Sequence, residues 1–316
     1  VMAFVEEQQG PLRAAKDCLA GSVGGILQVF SGQPFDTIKV RLQTQPQPAP
    51  GQPWLYSGTW DCVQKTCRAE GATGFYKGTT TPLVGVGVCV SIQFLVMEWM
   101  KRTLGTRFID GKPVQGPLTG GQLFVAGATA GLANSVVSGP VEHIRTRLQV
   151  QAAVAGGDRP ATTNAASARA APLTYQGPLD CIRKIYRAHG LAGIYKGQVP
   201  TALRECFGYG AYFMAYEYLI QQTTRRRGID RTALSAPEVC LYGAAAGFAM
   251  WFSIFPIDVV KSKLQTDRFT LDQRQYRTIS DCVRQTFQRE GIAGFYKGLT
   301  PCLLRAAPAN AATFVG

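Results

Sequence analysis

Pro34-Phe-Asp-Thr-Ile-Lys-Val-Arg-Leu-Gln43 decides how this chain is read, because the same frame returns as Pro140-Val-Glu-His-Ile-Arg-Thr-Arg-Leu-Gln149 and as Pro256-Ile-Asp-Val-Val-Lys-Ser-Lys-Leu-Gln265. In each copy an acid stands two residues after the proline, basic residues five and seven after it, and a glutamine nine after it. Spacings of 106 and then 116 residues divide the 316-residue chain into three versions of one unit. A repeat of this kind is settled before any other fold question. The divisions fall at 1–115, 116–230 and 231–316.

Outward from the motif, each unit has the same layout. Upstream lie small residues at helical spacing: Ala20, Gly21, Ser22, Gly24 and Gly25, then Ala126-Gly127 with Ala130-Gly131, then Gly243 with Gly247. Such spacing lets helices approach closely in a membrane. The prolines at 34, 140 and 256 lack an amide donor, so each helix is expected to kink at Pro34, Pro140 and Pro256 and to continue through. Loops follow at 44–58, 150–177 and 267–277, then short amphipathic helices near 61–69, 180–188 and 281–289. These are too short to span a bilayer and suit its surface. Next comes a second repeated box: Glu70-Gly-Ala-Thr-Gly-Phe-Tyr76-Lys77-Gly78, His189-Gly-Leu-Ala-Gly-Ile-Tyr195-Lys196-Gly197 and Glu290-Gly-Ile-Ala-Gly-Phe-Tyr296-Lys297-Gly298. Helices at 79–104 and 198–222 follow, long enough to cross ~30 Å of hydrocarbon; their sibling from Leu299 is expected to be cut short at Gly316. The fold class that results is an all-α membrane protein with six spanning helices in three hairpins. Each helix carries polar residues on one face, as expected around a wet cavity.

Lysine and arginine number 33 against 20 acids, a net charge of +13 that favours anionic partners. At 46% hydrophobic and 17% charged residues the chain is too apolar for a disordered basic protein. Nine cysteines form no CxxC pair and histidines number two, so neither a metal site nor a disulfide framework is expected. Cys62, Cys181 and Cys282 each follow an aspartate at matched places and read as small packing residues. No secretory leader opens the sequence, which points to an intracellular location. There is no nucleophile, base and oxyanion set and no phosphate loop, so no catalytic residue, cofactor or enzyme activity is expected. The even spread of basic residues over the repeats argues against a nucleic-acid binder or a basic membrane-associated scaffold.

Over essentially its whole length the chain resembles the mitochondrial carrier family, on the strength of the proline-acid-basic motif followed by the acid-Gly box and the Tyr-Lys-Gly triplet, three times in order. The resemblance implies a pseudo-threefold barrel in the mitochondrial inner membrane that imports or exchanges a small solute by alternating access, working as a monomer. It implies a matrix-side ring of ion pairs, Asp36 with Arg145, Glu142 with Lys261 and Asp258 with Lys39, braced by Gln43, Gln149 and Gln265. It implies a weaker cytoplasmic network at Glu98, Lys101 and Glu217. It also implies cardiolipin at Tyr76-Lys77-Gly78, Tyr195-Lys196-Gly197, Tyr296-Lys297-Gly298 and the helix starts at Gly58 and Gly177. His189 departs from the pattern, standing where the other boxes have Glu70 and Glu290.

The family's substrate contact positions correspond to Gly85, Arg204 and Arg305, the seventh residues after the matched glycines, with Glu205 beside Arg204. Ionisable residues in mid-helix are costly unless they face water or a partner. Adjacent helix residues do not face each other, so an Arg204–Glu205 pair is expected to be poor and solute binding the better reading. Gln93 and Tyr212, fifteen residues after their glycines, are further cavity candidates; Asn134 and Trp251 read equally as packing. A carboxylate between guanidiniums suits an amino acid, its carboxylate on an arginine and its amine on Glu205. The wording resembles the fungal amino acid carriers related to the ornithine and carnitine group. A basic amino acid such as ornithine, lysine or arginine is preferred, with carnitine or an acylcarnitine the alternative.

Overall fold

None of the motif prolines ends its helix. In a computed structural model that describes residues 11–46, 48, 52–109, 112–115, 118–155, 175–269 and 274–305, α1 spans Pro11–Thr44 with Pro34 inside it, α4 spans Gly120–Ala155 with Pro140 inside it, and α7 spans Ala236–Thr266 with Pro256 inside it. For some stretches, 11–25 among them, only the backbone is described, so the small residues of the first repeat lie outside the described side chains.

Between these run the short helices α2 (Thr59–Glu70), α5 (Pro178–Ile194) and α8 (Ile279–Glu290), the long helices α3 (Thr80–Gly105) and α6 (Gln198–Arg227), and the start of α9 at 299–305. The described residues thus hold five long helices and the beginning of a sixth. Helix α4 runs on to Ala155, into the stretch read from sequence as loop from 150, and α6 runs to Arg227. Alanine, valine and glutamine after Gln149 carry no stop signal, which is why the helix continues. A small antiparallel hairpin, β1 (Thr106–Ile109) with β2 (Lys112–Gln115), joins α3 to α4 and was not foreseen; the all-α class stands.

Gly71, Gly190 and Gly291, in the acid-Gly boxes, have φ of +66°, +61° and +63°. That conformation suits glycine alone and turns the chain out of each short helix. In the second repeat α5 kinks at Gly190, whose φ of +61° and ψ of −158° are not helical.

The chain packs as two compact units that cut across the repeats: one takes Val1–Ala20, Val86–Ser138 and Val199–Ile257, the other Gly21–Gly85, Gly139–Gln198 and Asp258–Gly316. In the first unit, Met97, Ala126 and Ala130 form a buried cluster with Phe213 against it. A Cβ on Gly127 would lie 2.8 Å from the Tyr209 carbonyl oxygen, and one on Gly131 would run into the Glu205 carbonyl. The spacing of four on α4 therefore meets a spacing of four on α6, and glycine is what lets the two backbones touch. The second unit has three small cores around Cys62, Cys181 and Cys282, all fully buried; the buried residues of each come from one repeat, and Phe269 of the third repeat packs on the second core.

Large apolar side chains point outward along the long helices: Val84, Phe94, Leu95, Trp99, Leu132, Val199 and Leu241 are all more than half exposed. An exposed belt of this kind suits hydrocarbon. Among the described residues two helices, Gly120–Gln151 and Pro237–Thr266, are long and apolar enough by themselves to cross a membrane. The α6 segment, with Arg204 and Glu205, does not reach that apolarity.

Candidate functional site

The charged motif builds a closed circle in the second unit. Arg145 Nη2 lies 2.7 Å from Asp36 Oδ2, Lys39 Nζ lies 2.7 Å from Asp258 Oδ2, and Lys261 meets Glu142. Each pair joins one repeat to the next. The third glycine of each Tyr-Lys-Gly triplet closes the same circle, with φ between +79° and +84°. A Cβ on Gly78 would lie 3.2 Å from the Arg145 carbonyl, one on Gly197 2.7 Å from Gln265 Cγ, and one on Gly298 3.1 Å from the Lys39 carbonyl.

The glutamines act unequally. Gln43 donates to Asp258 Oδ2 at 3.1 Å and so steadies that pair. Gln149 instead donates to Thr37 Oγ1 at 3.2 Å, and Gln265 is buried against Gly197. Gln33, unmarked by the sequence reading, accepts from Arg145 at 2.6 Å and donates to the Lys77 carbonyl at 3.2 Å, joining the ring to the triplet. It sits one residue before Pro34, where its repeat partners are Gly139 and Phe255, so repetition gives no signal for it.

Arg305, expected among solute contacts, lies with Nε 3.2 Å from Asp36 Oδ1, so Asp36 stands between two guanidiniums. The absence of a Cβ on Gly32 makes room for it: a Cβ there would be 2.7 Å from Arg305 Nε. Gly85 is buried and packs on α4, where a Cβ would be 2.9 Å from Val141 Cγ1.

In the first unit, Glu205 is 5% exposed and is held by neighbours on two helices. Arg204 does pair with it, against expectation. The long, flexible arginine side chain folds back over its neighbour where the backbone directions alone diverge, and burial favours the pair over two separate charges. Asn134 Nδ2 donates to Glu205 Oε2 at 3.3 Å. The sequence reading left Asn134 undecided between cavity and packing; the Gly131 contact one turn earlier explains its reach. Tyr212 stacks on Tyr216 with ring centroids 6.2 Å apart, and its hydroxyl comes near Gly243 of α7. Gln93 is half-buried on α3, and Trp251 packs edge-on to Phe255.

Of the residues expected in the cytoplasmic network, Glu98 pairs with Arg102, four residues on. Glu217 is held by Arg231, from the short turn Arg231–Ala233 before α7, at 3.0 Å. Arg231 was missed because it sits in a connecting segment that the repeat does not share.

At the triplets, Lys77 binds Glu70 at 2.9 Å and Lys297 binds Glu290 at 2.6 Å. A cavity of 160 Å³ is lined by Trp54, Tyr56, Gly58, Lys297 and Gly298, with Lys297 Nζ 3.3 Å from the Trp54 ring centre. It brings the start of α2 to the triplet of the third repeat. In the second repeat His189 stacks on Phe269, centroids 4.4 Å apart, and Lys196 and Arg147 approach the same ring. Burial first, then Arg147, pulls the Lys196 ammonium pKa down to about 7.

A model of the family "Mitochondrial carrier protein" matches residues 10–108, 116–227 and 232–316. The chain is similar to the glutamate/glycine mitochondrial carrier of Schizosaccharomyces pombe, 45% identical over 96% of this chain and 92% of that one. It is similar to the mitochondrial basic amino acids transporter of Bos taurus, 41% identical over 95% and 89%. It is also similar to the mitochondrial carnitine/acylcarnitine carrier protein of Homo sapiens, 38% identical over 98% and 94%.

Proposed function

Because the chain belongs to the mitochondrial carrier family, and so is a multi-pass transport protein of the mitochondrial inner membrane, we propose that it moves a small amino acid, as the zwitterion, by alternating access. The observation that carries this reading is Glu205. A carboxylate buried in mid-helix, balanced by Arg204 and steadied by Asn134, is expensive in a membrane unless it is used. The Arg204–Glu205 pair is neutral overall, and so is a zwitterion. Exchanging one internal ion pair for two with the guest keeps every charge partnered, so binding and release stay close in energy.

The three ion pairs of the ring serve as the gate on the matrix side. They join all three repeats, and separating them unpairs six charges at once unless a bound solute offsets the cost. Arg305 on Asp36 adds to the closed form. The cavity at Gly58, Lys297 and Gly298 supports a cardiolipin phosphate at the start of α2, where free amides favour an anion.

Names of similar proteins supply the candidates: glutamate and glycine for the fission-yeast carrier, basic amino acids for the bovine transporter, carnitine for the human carrier. The test is uptake by the purified protein in cardiolipin-containing liposomes, offered glycine, glutamate, ornithine, lysine, arginine and carnitine. Glu205→Gln is expected to abolish uptake of every amine-bearing substrate while the protein unfolds at an unchanged temperature. Uptake by that variant at the unaltered rate would reject Glu205 as the reader of the amine.

A further inference from the structure

Asn134 carries more than the bond it gives to Glu205. Its amide orientation is fixed: with nitrogen and oxygen exchanged, Oδ1 would face the Glu205 carboxylate, oxygen against oxygen. Oδ1 is therefore the atom left over, and among the described residues no hydrogen-bond donor reaches it, in a residue only 4% exposed. A buried acceptor without a donor costs about 1–3 kcal/mol, so a stable fold gains nothing by keeping it idle.

We propose that Asn134 is a specificity-determining residue, its Oδ1 forming with the Glu205 carboxylate a pair of acceptors for the primary ammonium of the transported amino acid. This rests on the reading of Glu205 given above. Within one amide Oδ1 sits beside Nδ2, and Nδ2 touches Glu205 Oε2 at 3.3 Å, so an ammonium at that carboxylate oxygen is within reach of both. An ammonium has three N–H donors and can satisfy the two acceptors together. A trimethylammonium has none: it can sit near the carboxylate but leaves the amide oxygen as unpartnered as before. Glu205 alone attracts any cation, whereas Asn134 makes the site count N–H bonds.

The close contact of α4 on α6 keeps this arrangement rigid. Gly127 and Gly131 hold the α4 backbone against the Tyr209 and Glu205 carbonyls, one turn from Asn134. The backbones that carry the two side chains therefore stay at a fixed separation.

The experiment uses the reconstituted full chain and its best amino acid substrate as reporter, with glycine, N-methylglycine, N,N-dimethylglycine and N,N,N-trimethylglycine as competitors. In the unaltered protein the inhibition constant is expected to rise once fewer than two N–H donors remain, from N-methylglycine to N,N-dimethylglycine and again to N,N,N-trimethylglycine. In Asn134→Leu, the same heavy-atom branching without the amide, glycine should weaken about tenfold, as for one lost hydrogen bond, and the methylation series should flatten. Asn134→Ala replaces it if Asn134→Leu does not purify folded. An unchanged glycine constant in the variant, an unchanged slope across the series, or an unaltered protein that glycine does not inhibit would overturn the assignment. Loss of transport in Glu205→Gln with an unaffected methylation series in Asn134→Leu would overturn this inference while leaving the function standing. Unaltered transport in Glu205→Gln would remove the function itself.

Discussion

The first and third repeats secure their matrix-side helices around a carboxylate, and the second does so around an aromatic ring. In the first, Glu70 accepts from Arg41, Lys77 and, through the same arginine, links to Thr66. In the third, Glu290 accepts from Lys263 at 2.6 Å and Lys297 at 2.6 Å, with Thr286 on the same lysine. In the second, where His189 replaces the acid, Arg147 and Lys196 both donate to the Asp267 carbonyl, at 2.6 and 2.5 Å. Both also stand over the Phe269 ring, at 4.1 and 4.8 Å from its centre. Two cations held by a carbonyl and a π-face replace two cations on a buried carboxylate. The same helix–turn–helix joint thus tolerates loss of its central charge, provided another segment supplies a ring.

The largest effect should follow from breaking a carboxylate-centred joint. Arg41 is 1% exposed at its side chain and Glu70 is 7% exposed. Burial alone would raise the Glu70 pKa, but hydrogen bonds and charge from Arg41 and Lys77 prevail and hold it low. Glu70→Gln leaves Arg41 buried without its anion, a loss of about 3 kcal/mol or more. Thermal unfolding in detergent should show this as a clear fall in midpoint. A midpoint within a degree of the unaltered protein would mean that Arg41 is satisfied by Thr66 and the Gln149 carbonyl alone.

A middle-sized effect is expected at Phe269. Removing the ring in Phe269→Ala takes away two cation contacts and the stack on His189, together about 1–2 kcal/mol. The same change at a residue with no such contacts, Phe287→Ala on the exposed face of α8, should cost far less. Equal shifts for the two variants would show that the ring is ordinary packing and that the second repeat is held in some other way.

The ring's role marks the limit of what the residues alone disclose. The ion-pair circle was legible through the family resemblance, which gives the three motif copies their partners, and the glycines at 127 and 131 because their spacing has a single physical use. Phe269 was not legible. It lies in the connection after α7, belongs to the third repeat, and acts on the second, so neither periodicity nor the repeat points to it. Gln33, Asn134 and Arg231 were passed over or left undecided for a related reason: each acts across helices from a position where its repeat counterparts differ. Arg204 misled in the other direction, since backbone geometry was given more weight than the reach of a long side chain.

The smallest effect is the most telling about the comparison, because it restores the missing acid. His189→Glu places a carboxylate beside Arg147 and Lys196 in a partly exposed setting, so the gain should be about 1 kcal/mol or less. Its signature lies in pH. Burial, with Arg147 next, sets the Lys196 pKa near 7 against 10.5 in the unfolded chain, so the unfolded state holds more protons throughout that interval. Stability then rises with pH from about 7 toward 10.5 and is lost as pH falls back through 7. His189 adds in the same sense at lower pH, since burial first, then Arg147, Lys196 and Arg274, lower its pKa and favour its neutral form. Among the described residues, His143 on the edge of the Phe269 ring, Tyr175 beside Arg147, and the Asp267 side chain, which accepts from the Gln275 and Tyr276 amides, also face this group. A glutamate at 189 favours the charged lysine and removes the histidine, so the unfolding midpoint of the variant should vary less between pH 6 and pH 9 than that of the unaltered protein. Parallel curves would show that Lys196 already has its charge fully met by the Asp267 and Arg268 carbonyls, and that ring and carboxylate are equivalent ways of holding the same joint.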